Sequence, residues 1–255
     1  MNAVIRIQNL CKTFNGINVL NGVNLEIPEK EITAVIGQSG TGKSVMLKTI
    51  LRLIPPDSGH VWFKDTELTA LSKDEMIATR KNFAYSFQGA ALFDSMTVGE
   101  NIAFPLKEVL RIKDQEKIRK QVSEMLEWIE LPGIEEKRPD ELSGGMRKRV
   151  GVARALVMHP EVLFFDEPTT GLDPVLSETI NDLVVRVNKE LGITCVMITH
   201  DIPAAFRIAD KIAFLDQGTI IAEGSPGEVA VSGQQMVKDF IRISFSELKV
   251  STTPS

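Results

Sequence analysis

The chain has 255 residues, 43% hydrophobic and 25% charged, with a net charge of −5. That is length for one large domain or two small ones, and a composition that excludes extended disorder outside the ends. The acidic balance argues against a protein that grips a nucleic-acid backbone, which would show a basic excess, so no nucleic-acid partner is expected.

In chain order, residues 5–10 and 23–27 read as strands. The second alternates strictly, with Val23, Leu25 and Ile27 against Asn24 and Glu26, and closes at Pro28. Between them, residues 12–16 form a turn with one aromatic, Phe14, which is either a core residue or a platform for an adenine ring. The apolar run 32–36 then leads into Gly37, Gln38, Ser39, Gly40, Thr41, Gly42, Lys43 and Ser44, followed by a helix-like run over 45–54. This is G-x-x-x-x-G-K-S in a strand-loop-helix setting. Its glycines let the backbone wrap a phosphate, and the loop N–H groups and the helix N-terminus point donors and a positive dipole at it. Lys43 then holds β- and γ-phosphate oxygens and Ser44 a Mg²⁺. A turn matching by chance arises in roughly one in a hundred chains of this length. The flanking strand and helix make nucleotide binding the working reading.

Residues 55–59 form a turn, 61–63 a short strand, 74–81 a helix and 83–87 a strand ending at Gln88. Gln88 either reaches a metal or water beside the phosphates or merely caps the strand. Residues 98–139 switch to helix, with Val122, Met125, Leu126 and Ile129 as an internal stripe and the charge cluster 113–120 facing solvent. Ser143 is an N-cap, and Gly144 and Gly145 leave N–H groups open at a helix N-terminus, a second anion site in the same chain. Arg147, Lys148, Arg149 and Arg154 pair with carboxylates or, for most of them, simply face water. Val162, Leu163, Phe164 and Phe165 are a fully apolar strand ending in Asp166 and Glu167. Adjacent carboxylates there are costly unless used: Asp166 to meet Mg²⁺, Glu167 to polarise a water.

Asp173 and Pro174 open another helix. Residues 194–199 are a buried strand ending in His200, a structural histidine or a γ-phosphate sensor. Residues 211–216 and 219–223 form a hairpin around Gln217 and Gly218. Residues 235–243 form an amphipathic helix with Met236, Val237, Phe240 and Ile241 on one side, and from Ser246 the tail is expected to fray. Cys11 and Cys195 lack metal-ligand spacing and read as two thiols in a reducing compartment. No apolar run approaches the ~18 residues of a spanning helix, and residues 1–10 lack the pattern of a signal peptide. Any membrane role therefore goes through a partner.

Taken together, these motifs resemble the ATP-binding cassette (ABC) family of ATPases over about residues 4–225, in the family's order. The resemblance assigns Phe14 to adenine stacking, residues 37–44 to the Walker A loop with Val45 completing the ATP contacts, and Gln88 to the Q-loop. It assigns Leu142, Ser143, Gly144, Gly145 and Met146 to the signature, Asp166 and Glu167 to the Walker B end, Asp173 to the D-loop and His200 to the switch. It implies an α/β fold: a P-loop NTPase core with a mostly parallel sheet, an antiparallel β subdomain and an inserted helical subdomain. A single domain over 1–245 is expected, with core and β subdomain in 1–88 and 160–225, the helical subdomain in 89–159, a C-terminal helix over 234–245 and a flexible tail over 246–255.

The family's mechanism implies two copies packed head to tail. ATP on Lys43 and Ser44 of one copy is closed over by Ser143, Gly144 and Gly145 of the other. Glu167 aligns water, and His200, Gln88 and Lys43 complete the catalytic set. Mg²⁺ falls to Ser44, Gln88 and Asp166. Met146 departs from the Gln common among relatives. With residues 87–106 and 147–155, it looks like the ATPases of bacterial phospholipid-trafficking systems that carry mammalian cell entry (MCE) domain proteins. That resemblance implies an inner-membrane permease, an MCE-domain partner, a lipid cargo and a place on the cytoplasmic face of the inner membrane. An amino-acid or other small-solute importer is the main competitor. A soluble ABC ATPase acting on ribosomes, DNA ends or iron-sulfur assembly is disfavoured by a single Walker A, a single signature and no heptad run.

Overall fold

The computed structural model describes residues 2–250, and the side chains of 2–245. In chain order it holds β1 (Ala3–Phe14), β2 (Ile17–Pro28), β3 (Ile32–Ile36), α1 (Lys43–Ile50), β4 (Ser58–Phe63), β5 (Thr66–Glu67) and α2 (Lys73–Thr79). β6 (Phe83–Ser86), α3 (Val98–Glu108), α4 (Gln115–Trp128), α5 (Gly144–Leu156), β7 (Val162–Asp166) and α6 (Pro174–Leu191) follow. The last part carries β8 (Thr194–Thr199), α7 (Ile202–Ile208), β9 (Lys211–Asp216), β10 (Thr219–Gly224), α8 (Pro226–Ala230) and α9 (Gln235–Val250). The chain folds as two compact units, Met1–Ile77 with Thr194–Ser255, and Ala78–Ile193.

The first unit contains an antiparallel sheet in the order β2-β1-β4-β5. β3 lies between the parallel strands β8 and β9, and β10 turns back antiparallel on β9. Every residue of β3 and β8 is buried, which is why these strands read as nearly continuous apolar runs, interrupted by Thr33 and flanked by Thr194 and Thr199, rather than as alternation. β1 and β2 are twelve residues each, longer than their sequence pattern suggests. Register shifts between Ile7 and Leu10 and between Leu10 and Lys12, with Asn9 left-handed at φ 49°, throw the alternation out of phase. The Asn24 side chain holds the irregularity, accepting from Asn9 N at 2.9 Å. The connection is the two-residue turn Asn15-Gly16, both at positive φ, as the twist-matched hairpin turn requires. Gln217 and Gly218 make the same kind of turn between β9 and β10.

α9 sets Val237 in the core and places the Phe240 ring 5.1 Å from Phe214 and the Phe245 ring 5.9 Å from Phe206, so it packs on its own unit. Met236, expected on the packed side, is 48% exposed. The helix continues through 246–250, where the sequence reading starts a tail, and residues 251–255 lie outside the described residues. Cys11 and Cys195 are free thiols, and burial pushes the Cys195 thiol up.

The second unit pairs β6 and β7 in parallel and holds the helices α3, α4, α5 and α6. On α4, Ile118, Val122 and Leu126 are buried while most of 113–120 is exposed, as the stripe and charge cluster predict. α3 contains a fully buried polar residue, Asn101. Its amide accepts from Phe93 N at 2.8 Å and donates toward the carbonyls of Phe93, Met96 and Thr97, fixing the loop before the helix. Among the described residues no helix is long and apolar enough to cross a membrane.

Candidate functional site

Strand register places the phosphate-loop residues of the first unit. Ile36 stands opposite Thr199 of β8 and Phe214 of β9. The loop after β3 and His200 after β8 therefore leave the strands at one carboxyl edge, where α/β proteins bind ligands. In that loop Gly40 and Gly42 are left-handed, at φ 83° and 101°. A Cβ at Gly37 would lie 2.2 Å from the Leu215 carbonyl oxygen and one at Gly42 2.7 Å from that of Val19, whereas nothing stands within 4 Å of one at Gly40. The glycines thus seat the loop against its own unit and leave its outer side open.

α1 starts from this loop with Gly42 as its cap, no side-chain cap hydrogen bond and no acidic residue in its first turn. Each helix from α3 to α8 has a hydroxyl or carboxylate in that place, so α1 presents an end built for an outside anion. The Lys43 ammonium donates to the carbonyls of Gly37 and Gln38, both at 2.8 Å, and the residue is 6% exposed. A buried cation inside an uncapped loop with an open outer side fits a polyphosphate. Gln38, Ser39 and Gly40 form its exposed rim, while Thr41, Ser44 and Val45 are half-buried. Phe14 is 40% exposed with the Lys12 ammonium 5.3 Å from its ring centroid, which removes the core reading and leaves a ring available for stacking. His200 is exposed.

The second unit carries the carboxylates. Ser86 stands opposite Phe165, so Gln88 and the Asp166-Glu167 pair emerge from adjacent strand ends. Asp166 is 7% exposed and accepts the Tyr85 hydroxyl on Oδ2 at 2.6 Å. Burial, reinforced by Asp166, raises the Tyr85 phenol and keeps it a donor. Glu167 is left-handed at φ 49°. Thr170 holds it from two sides, its hydroxyl 3.2 Å from Glu167 Oε2 and its N–H 3.3 Å from the Glu167 carbonyl. Lys148 donates to the carbonyls of Gln88 and, at 3.4 Å, Glu167. Burial lowers the Lys148 pKa, while the charges of Glu167 and Asp166 pull it back up.

Ser143 caps α5 by accepting from Met146 N at 3.3 Å. A Cβ at Gly144 would lie 3.3 Å from Leu172 and one at Gly145 3.1 Å from Leu176, so these glycines also let α5 pack against the start of α6. Asp173 caps that helix, accepting from Val175 N and Leu176 N at 3.0 Å each. The four basic side chains, expected to pair with carboxylates or, for most of them, to face water, instead donate to backbone carbonyls. Besides Lys148, Arg147 takes that of Leu142, Arg149 that of Ile129, and Arg154 those of Ala90 and Ala91.

Tyr85, Thr170 and Lys148 are the contributors that sequence reading missed. Lys148 had a visible signal: it stands in phase with buried Val152 and Ala155, four and seven residues on. Of the residues expected to meet a metal, Ser44 belongs to the first unit and Gln88 and Asp166 to the second, and each side chain offers an oxygen donor, the type that suits a hard ion. Among the described residues no cluster of three or more His, Cys, Asp or Glu competes with them.

Comparison with known proteins agrees with these features. A family model described as ABC transporter matches residues 20–170. The "Probable ribonucleotide transport ATP-binding protein mkl" of Mycobacterium leprae is 36% identical, covering 99% of this chain and 74% of that one. The methionine import ATP-binding protein MetN 4 of Oceanobacillus iheyensis is 40% identical, covering 95% and 71%. Among solved structures, cbiO1 of Clostridium perfringens, part of the ABC transporter complex cbiONQ, superposes with a TM-score of 0.83 at 30% identity, covering 98% of this chain and all of that one. The dimeric cassette MJ0796 bound to ADP and Pi gives 0.79 at 33% identity, covering 87% and 98%. The α/β fold with its parallel strands, antiparallel sheet and helical part is that of an ABC ATPase, and the chain belongs to the ABC transporter family as its ATP-binding cassette.

Proposed function

We propose that the chain hydrolyses ATP as the energising subunit of a membrane transporter for phospholipids, working as a head-to-tail pair of copies. The observation that carries the hydrolytic reading is Glu167, a carboxylate held in a left-handed conformation directly after a fully buried strand and beside buried Asp166. Such a conformation persists only where its surroundings hold it, and residues held this way cluster at active sites. Glu167 takes the proton of a water attacking in line, with Gln88 and His200 orienting it. Lys43 and the loop N–H groups of residues 37–45 bear charge on the transferred phosphoryl group, and Phe14 stacks on the adenine. Ser44, Gln88 and Asp166 would hold Mg²⁺, which would supply charge neutralisation on the phosphate oxygens. Ser143, Gly144 and Gly145 of the second copy close the site, next to Asp173. The subunit then sits peripherally on the cytoplasmic face of the inner membrane, held by a permease that contacts the helical segment.

The cargo reading rests on Met146 and on the stretches 87–106 and 147–155, which resemble the MCE-associated ATPases. The cargoes named for the relatives, ribonucleotide and methionine, differ from each other at similar identity, so overall similarity alone does not select a cargo. The methionine import relatives support a second reading, a small-solute importer. Mild solubilisation of the native membrane, capture of a tagged copy and mass spectrometry of co-purifying chains and lipids separates them. A multi-span permease with an MCE-domain protein and bound phospholipid is expected. A permease with a soluble solute-binding protein would move the cargo to a small solute, and recovery with ribosomes or DNA would overturn the transporter reading.

A further inference from the structure

One face of α5 makes a set of contacts that the mechanism above does not use. Lys148, Gly151 and Arg154 recur every three residues along it. The Lys148 ammonium donates to the Gln88 carbonyl and to that of Glu167. A Cβ at Gly151 would lie 3.0 Å from the Ala90 Cβ, so the segment after β6 rests directly on helix backbone. Arg154 donates to the carbonyls of Ala90 and Ala91, both at 2.8 Å. Ala90, Ala91 and Glu167 are all left-handed, at φ 61°, 46° and 49°. An L-residue keeps that conformation only where its surroundings hold it.

We propose that Lys148 is a positioning residue for ATP hydrolysis: by bonding the backbone of Gln88 and of Glu167 at once, it fixes the spacing of the two strand ends and the turn that aims the Glu167 carboxylate. The inference rests on the reading of Glu167 as the base. The division of labour along α5 makes it specific. Arg154 anchors the segment at 90 and 91, and Thr170 N still reaches the Glu167 carbonyl, so the fold of this region has other supports. Lys148 is the side chain that joins Gln88 to Glu167 through a single ammonium. α5 also begins at the Ser143 cap, so the residues that close on a neighbouring copy's ATP and the residues that perform hydrolysis are tied through one helix.

The test uses the purified full-length chain. Lys148→Met keeps the apolar stem and removes both donors and charge, and Lys148→Arg restores them. Misplacement of a catalytic group by about 1 Å can cost roughly a hundredfold, so kcat of Lys148→Met is expected to fall about tenfold or more. KM for ATP and ATP affinity should stay within about threefold, because the phosphate loop uses other residues. Lys148→Arg should recover most of kcat. A merely structural lysine would lower the folded fraction, read by thermal melting, without changing turnover per folded molecule. That result, a wild-type kcat in Lys148→Met, or no recovery in Lys148→Arg would overturn the inference. Glu167→Gln run alongside separates the two levels. Inactive Glu167→Gln with fully active Lys148→Met removes the positioning role alone, whereas full turnover in Glu167→Gln removes the base and the positioning role together.

Discussion

Glu167→Gln is expected to lower ATP turnover by about 10²- to 10⁴-fold, the contribution of a general base, while leaving ATP binding near the wild-type level. Glutamine matches glutamate in shape and keeps an oxygen to accept the Thr170 hydroxyl, now 3.2 Å from Oε2. The left-handed backbone and its bonds from Thr170 N and Lys148 are untouched by the exchange. What is lost is the ability to take a proton from water. Phosphate release under saturating ATP and Mg²⁺ measures the first quantity, and titration with ATP measures the second. Wild-type turnover would show that the base lies elsewhere.

Lys43→Ala is expected to weaken ATP binding by roughly 10- to 150-fold, since a hydrogen bond to a charged group contributes about 1.5–3 kcal/mol. The alanine also removes the two bonds from the ammonium to the carbonyls of Gly37 and Gln38, so the loop loses an internal tie as well as its cation. The measurement is the rise in melting temperature on adding ATP, which reports binding to the folded state. Wild-type protein should show a clear rise and Lys43→Ala little or none at the same ATP concentration. An equal rise in both would place the phosphates away from Lys43.

Much of this was legible because the parallel strands are buried along their whole length. β3, β7 and β8 announce themselves as apolar runs, and the residues that follow them, Gly37, Glu167 and His200, could be placed at strand ends from composition alone. The turn at Gln217 and Gly218 was equally plain. The long β1-β2 hairpin was not, because bulges reset the alternation that identifies a strand. The basic residues of α5 were misread for a different reason. Their partners are backbone carbonyls, among them ones about sixty residues away for Lys148 and Arg154, and a carbonyl carries no sequence identity that would mark it. Asn101 hides in the same way, bonded to the backbone of the preceding loop. Met236 fails by phase: Val237 and Phe240 face the unit, and Met236 turns out to solvent.

The proposed mechanism turns on ATP bound at residues 37–45 of one copy being closed over by Ser143, Gly144 and Gly145 of another. Sedimentation velocity of Glu167→Gln with ATP and Mg²⁺, against the same protein with ADP, tests this most directly. A dimer with ATP that falls to monomer with ADP is the predicted result. A monomer in both, at concentrations where ATP is shown to be bound, would contradict it.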